Sequence, residues 1–185
     1  MEKKIIGITG TFGAGKGTVV EYLKTKGFVH YSVREYLISE IQKRGMPVNL
    51  DSMVFVANDL RQRNSPSYII EQLYKQAKEQ DKSCVIESIR TPGEVEALRK
   101  NTGFFLIAVD AEQRPRYNRM VLRKSETDNI SFEEFVEQEK KQMTSDDPNK
   151  QNIGRCMQMA DALLENNGTI EELHSKIDKI LAELQ

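Results

Sequence analysis

Residues 10–18 read GTFGAGKGT, a match to G-x-x-x-x-G-K. The run stands in the setting where that spacing carries chemistry. The apolar stretch Lys4–Thr9 before it reads as a buried strand, and Thr18–Lys26 after it reads as a helix. Glycines let backbone N–H groups turn inward around phosphate oxygens. The helix start adds its own unpaired donors and its dipole. Lys16 is the cation that reaches the β and γ phosphates and follows their charge during transfer. Gly10, Gly13, Ala14, Gly15, Lys16, Gly17 and Thr18 therefore read as a seat for a nucleoside triphosphate whose terminal phosphoryl group moves to a small acceptor. The serine or threonine that usually follows the lysine is replaced by Gly17. Thr18, which comes next, can cap a phosphate oxygen or hold a magnesium-bound water.

Glu87 ends an apolar stretch and begins the run ESIR. Ligands of open parallel sheets sit beyond the carboxyl ends of the strands, which places Glu87 and Arg90 at the cleft. An acid there orders a magnesium shell or orients a water, and a planar arginine fork suits a phosphate. The plainer readings are a surface acid at a strand end and a solvated arginine near a helix cap. The same rule brings Tyr31, Ser32, Arg34 and Glu35 to the cleft as acceptor contacts, with Arg61 and Tyr68 in the stretch that shapes the acceptor pocket. Ser32 serves equally well as a helix N-cap, Arg34 and Glu35 as a solvated pair, and His30 as a packed strand residue. Arg116, Arg119 and Arg123 are three and four residues apart and share one helix face. Such a row needs either phosphates or carboxylates such as Glu112 to meet it. The polar stretch at about 124–150 reads as a lid whose closure excludes water from a phosphoryl donor.

The elements that must hold these residues alternate along the chain. Phe28–Tyr31, Cys84–Glu87, Phe104–Val109 and Ala162–Leu164 are short apolar runs, as strands read when both sheet faces are covered. Helices are predicted over Glu35–Arg44, Asp51–Arg61 with an aspartate cap, and from Ser65 at N-cap with Pro66 at N1 to Gln80. Further helices run from a capping box at Thr91 and Glu94, over Glu112–Arg123, from a second box at Ser131 and Glu134 to Met143, over Gly154–Met159, and from a third box at Thr169 and Glu172. This alternation predicts a three-layer α/β fold with five parallel strands, in one domain over residues 1–185.

The chain has 185 residues, enough for a full core. Its 27 basic and 28 acidic residues give a net charge of -1, which argues against a broad nucleic-acid-binding face. The two cysteines, Cys84 and Cys156, lack metal-ligand spacing and are expected reduced. The N-terminal apolar run is too short for a signal peptide or a membrane span, so a cytoplasmic protein is expected.

GTFGAGKGT resembles the phosphate loop of adenylate kinases and other nucleoside monophosphate kinases, which also place glycine after the lysine. YSVREYLISEI resembles their segment after strand two. There the family usually carries glycine and aspartate at the places of Arg34 and Glu35 and often arginine at that of Ile38, so the acceptor contact would pass to Arg34 or Arg61. ESIR resembles the family run with an aspartate and a phosphate-binding arginine, here Glu87 and Arg90. Arg119 and Arg123 match the arginines that lie against nucleotide and phosphates before the lid. NNGTIEEL resembles the loop that lines adenine, with Asn167, Gly168 and Thr169 as the matching residues. ANDLRQRNSPSYIIEQL, ESIRTPGEVEAL and Gln151–Leu173 resemble an adenylate-kinase-related group that includes dephospho-coenzyme A kinase-like proteins. The resemblance implies a P-loop kinase fold with strand order 2-3-1-4-5, acceptor-binding helices at about 32–80, ATP, Mg2+ and a small phosphorylated acceptor, read as a nucleoside or deoxynucleoside monophosphate. Dephospho-coenzyme A kinases often carry an aspartate base near the end of strand two. Glu35 as its counterpart would make the acceptor a hydroxyl. A nucleotide-dependent switch without transfer is the non-enzymatic alternative.

Overall fold

The computed structural model describes residues 3–80, 82–123 and 130–184. Its strands are β1 (Ile5–Gly10), β2 (Val29–Ser32), β3 (Cys84–Glu87), β4 (Phe104–Asp110) and β5 (Ala162–Glu165). They form one parallel sheet in the order β2-β3-β1-β4-β5. The helices are α1 (Lys16–Thr25), α2 (Val33–Lys43), α3 (Leu50–Arg63), α4 (Tyr68–Glu79), α5 (Pro92–Arg99), α6 (Gln113–Arg123), α7 (Phe132–Met143), α8 (Ile153–Gln158) and α9 (Ile170–Glu183).

The strands are apolar on both faces because both are covered. Ile5, Cys84, Ile86 and Leu106 pack under α2, α3, α4, α5 and α8. Ile6, Ile8, Val85, Ile107 and Val109 pack under α1 and α9. This is the predicted three-layer α/β architecture. Parallel pairing sends every strand's carboxyl end to the same edge, so the loop after β1, Glu87 at the end of β3 and Asp110 at the end of β4 meet there. At that edge Phe12 of the loop stacks on Phe135 of α7 with centroids 5.6 Å apart, and Tyr117 of α6 meets the same ring edge-on.

The three predicted capping boxes form, each with its side chain and backbone bonds reciprocated. Two of the expected helix caps fall elsewhere. Asn49, not Asp51, caps α3: its side chain accepts from Ser52 N at 2.8 Å, and the aspartate falls inside the first turn. Ser65 and Pro66 do not open α4. They form a turn closed by Tyr68 N on the Ser65 carbonyl at 3.1 Å. The Pro66 carbonyl accepts from the Thr91 hydroxyl at 3.3 Å instead of entering the helix ladder, so α4 begins at Tyr68. The first six residues of the expected lid, 124–129, lie outside the described residues.

Candidate functional site

The loop between β1 and α1 is shaped by close neighbours. At Gly13 (φ 77°) a Cβ would stand 2.6 Å from the Arg116 carbonyl oxygen, and at Gly15 (φ 97°) 2.4 Å from Asn166 Nδ2. Only glycine combines that left-handed backbone with that proximity. Gly15 is the N-cap of α1 and brings no capping side chain, so the first-turn N–H groups keep their donor capacity for an incoming anion. The helix starts at Lys16, two residues earlier than the sequence suggests, which puts Gly17 and Thr18 in its first turn. A Cβ at Gly17 would meet nothing within 4 Å. The protein itself therefore leaves room at this position. Thr18 is half-buried beside it.

Lys16 Nζ donates to the carbonyls of Gly10 and Thr11 at 3.0 and 2.7 Å. Its ammonium is lowered to about 7, first by burial and then by the Arg90 guanidinium, with Glu87 pulling the other way and Arg116 and Arg123 adding to the repulsion. Glu87, Arg90, Arg116 and Arg123 thus lie within electrostatic reach of Lys16.

Glu87 owes its place to register. Ser32 pairs with Glu87 across β2 and β3, and the Ser32 hydroxyl donates to Glu87 Oε1 at 3.2 Å while accepting from Glu35 N at 3.2 Å. Ser32 is therefore both the cap of α2 and a partner of the strand-end acid. His30 Nε2 stands 3.6 Å from Glu87 Oε1, too long for a hydrogen bond, and the two form an ion pair only when the imidazole is protonated. Burial pushes the Glu87 carboxyl up, but His30, Ser32 and Lys16 outweigh it and hold the group below its ordinary value.

Ser88 follows in the left-handed region at φ 63°, a conformation that costs a non-glycine residue roughly 1–2 kcal/mol. The kink turns the chain across β1, where Ile89 N donates to the Ile8 carbonyl at 3.1 Å and the Ile89 carbonyl accepts from the Thr9 hydroxyl at 2.8 Å. Arg90 emerges at the cleft. Its Nη1 donates to the amide oxygens of Gln151 at 2.9 Å and Gln142 at 3.4 Å. Burial and the neighbouring Arg61 lower its guanidinium. Arg61 is almost wholly buried and donates through Nε and Nη2 to Glu94 Oε1 at 3.2 and 2.8 Å, leaving Nη1 buried without a partner. Glu94 Oε2 accepts from the backbone N–H groups of Arg90 and Thr91 at 2.8 and 3.1 Å. The capping box legible in the sequence thus has a second duty, that of counter-ion to Arg61, for which the sequence holds no local signal.

The arginine row on α6 splits. Arg116 is buried and turned inward: it donates to Ala111 O at 2.7 Å and Phe12 O at 2.9 Å and forms a two-pronged pair with Glu139 of α7. Its carboxylate comes from another helix, not from Glu112. Arg119 Nη2 donates to Asn166 O at 2.7 Å, and its Nη1 is buried without a partner. Of the three residues matched to the adenine loop, Asn167 accepts from Glu112 N at 2.8 Å and Thr169 caps α9, with Gly168 between them pressed against Glu172. Asn166, which the sequence did not single out, donates to Ala14 O at 2.8 Å. Asp110 was also missed; its Oδ1 accepts from the Thr11 hydroxyl at 2.6 Å and from Ala111 N at 2.9 Å. A cavity of about 430 Å³ opens here, lined by Thr11, Asp110, Arg116, Glu139, Lys140 and Met143 among others.

The remaining expected acceptor residues are placed less uniformly. Arg34 and Glu35 are exposed at the start of α2, and Arg34 Nη1 approaches Met53 Sδ at 3.9 Å. The Tyr31 hydroxyl is directed to the Gln76 carbonyl on α4, at 3.4 Å. Tyr68 stands by Tyr36, whose hydroxyl is pushed up to about 12 by burial and by Tyr68.

The AAA domain family matches residues 6–144. A UPF0200 protein of Methanocaldococcus jannaschii is 30% identical over 183 residues, covering 97% of this chain and 90% of its own. The chain belongs to both families. Among solved structures, TT1252 from Thermus thermophilus superposes with a TM-score of 0.64 at 22% identity over 100% of both chains. Shikimate kinase from Bacteroides thetaiotaomicron follows at 0.61 and 11%, over 97% of this chain and 98% of its own. At these identities the likeness is one of fold, and the fold of this UPF0200 chain is that of the P-loop kinases, with strand order 2-3-1-4-5. No helix among its described residues is long and apolar enough to cross a membrane.

Proposed function

We propose that this chain is a phosphotransferase that moves the γ-phosphoryl group of MgATP to a nucleoside or deoxynucleoside monophosphate. The observation that carries this reading is Arg90. It sits beside Lys16 at the cleft, and its side chain is met by two neutral amide oxygens, Gln142 and Gln151. An incoming phosphate replaces such partners with a charge-assisted pair, roughly twice as strong as a neutral bond. Arg61, buried and bound to Glu94, adds positive charge behind Arg90. Arg34 and Tyr68 complete the acceptor wall, within helices of the segment at about 32–80, and the segment at about 124–150 closes over it. Arg119 and Arg123 meet the charge that spreads over the transferring group. A phosphate acceptor is already ionised near neutral pH, so positioning and electrostatics supply the catalysis without a general base.

The residues also suit Mg2+. Glu87 offers a carboxylate kept ionised and Thr18 a hydroxyl, while the described residues contain no cluster of three or more His, Cys, Asp or Glu side chains able to hold a metal by themselves. Mg2+ takes few protein ligands and fills its shell with water and phosphate oxygens. When bound, it neutralises charge on the β and γ oxygens.

The test is a transfer screen with labelled ATP against all ribo- and deoxynucleoside monophosphates and dephospho-coenzyme A, with Lys16→Ala as control. A labelled nucleoside diphosphate from one or more acceptors is the expected result. Product from dephospho-coenzyme A alone would move the acceptor group to a hydroxyl and the base to Glu35. No product from any acceptor would overturn the proposal.

A further inference from the structure

A loop that points its N–H groups at an anion must point its carbonyls the other way, into protein, and each needs a donor there. Two of these carbonyls are met by side chains from distant parts of the chain. Phe12 O takes Arg116 Nη1 at 2.9 Å, and Ala14 O takes Asn166 Nδ2 at 2.8 Å. Both donors are buried and are themselves held. Arg116 is gripped by the Glu139 carboxylate, which Gln113 also bonds at 2.8 Å. Asn166 is tied through its N–H to Asp110 O and through its carbonyl to Arg119, each at 2.7 Å. The two glycines in contact with these partners, Gly13 and Gly15, show how closely the loop is fitted against them.

We propose that Asn166 and the Arg116–Glu139 pair are positioning residues that set the direction of the loop's N–H groups for the phosphates. Through Glu139, the phosphate-binding form of the loop depends on the docking of α7. The same helix carries Gln142 to Arg90, so the loop and the acceptor-side arginine share one support. This rests on the reading of the loop as a triphosphate seat.

The test measures binding of ATP and of inorganic tripolyphosphate, which lacks the base, to the whole chain by calorimetry. The variants are Asn166→Ala, Asn166→Asp, Glu139→Gln and Lys16→Ala, each with its melting temperature. Loss of a donor to a buried carbonyl should weaken both ligands alike, by about ten- to a hundredfold. Asn166→Asp keeps the shape but turns a carboxylate toward the Ala14 carbonyl, so it serves if the alanine variant does not fold and should be the weaker binder of the two. A merely structural role would lower the melting temperature and leave both affinities of the folded protein unchanged, which would overturn the proposal. If Lys16→Ala loses both ligands while the Asn166 and Glu139 variants keep wild-type affinity, the proposal fails and the triphosphate seat stands. If the wild-type chain binds neither ligand, both fall.

Discussion

Binding of ATP should draw a proton from solution onto Lys16. Burial and Arg90 lower its ammonium from 10.5 to about 7, while Glu87 opposes them. At pH 8 a group with that value is about one-tenth protonated, and at pH 7 about one-half. A triphosphate in the loop places negative oxygens around Nζ and favours the ammonium, returning the group toward its ordinary value. Binding at pH 8 therefore takes up about 0.9 proton. The nucleotide contributes little there, because a terminal phosphate with a second pKa of about 6 is already ionised. Calorimetric titrations at pH 8 in two buffers of unlike ionisation enthalpy give the uptake from the change in apparent heat. The same experiment on Lys16→Met should show none. Apparent heats identical in both buffers for the wild type would refute the reasoning, as would uptake that survives in Lys16→Met. The sign for the unliganded protein follows from the same shift. Between about pH 7 and 10.5 the unfolded chain holds a proton that the fold has released, so this group's contribution to stability rises with pH across that window.

Glu94→Gln removes the carboxylate that neutralises the almost fully buried Arg61 and should cost about 3–5 kcal/mol, read from the midpoint of urea unfolding; a loss below about 1 kcal/mol would mean that water reaches the pair. Ser88→Gly removes the left-handed strain but adds glycine's entropic cost of roughly 0.5–1 kcal/mol, so it should melt within a few degrees of wild type, whereas Ser88→Val adds β-branching to a position that already strains a non-glycine residue and should melt below wild type. Gly17→Ser should fold with unchanged or slightly raised melting temperature, because nothing stands within 4 Å of the new Cβ. Gly13→Ala, which drives a methyl toward the Arg116 carbonyl, should lose ATP binding in a titration that Gly17→Ser passes.

The architecture was legible in the sequence because its signals are local and agree with one another. Each strand is a short apolar run between breakers, and the boxes at Thr91, Ser131 and Thr169 mark helix starts by chemistry that acts over three residues. The loop was legible for the same reason. What the sequence hid is long-range. Asn166 sits 152 positions from the carbonyl it supports, and Arg116 lies 104 from Phe12. Nothing near Asn166 marks it apart from Asn167, yet one supports the loop and the other binds a backbone N–H of Glu112. The arginine row misled in part, because spacing shows that three cations share a face but not that the first meets a carboxylate from another helix. Ser65-Pro66 misled because a proline carbonyl can be taken by a hydroxyl from a distant helix cap.

Charge explains why these long-range arrangements converge on one edge of the sheet. Lys16 feels Arg90, and Arg90 feels Arg61; the carboxylates facing this series are Glu87 and Glu94. Glu94 is spent on Arg61 and two backbone donors, and Glu87 is shared with Ser32 and His30. Lys16 gives up its proton more readily first because it is buried, and then because Arg90, Arg116 and Arg123 add positive charge that Glu87 only partly offsets. A fold selected for stability alone would add an acid beside Arg90, where this one places Gln142 and Gln151. Neutral amides hold the guanidinium in place without satisfying its charge. In the transfer proposed above, an arriving phosphate relieves the repulsion among these cations, on the donor side beside Lys16 and on the acceptor side at Arg90.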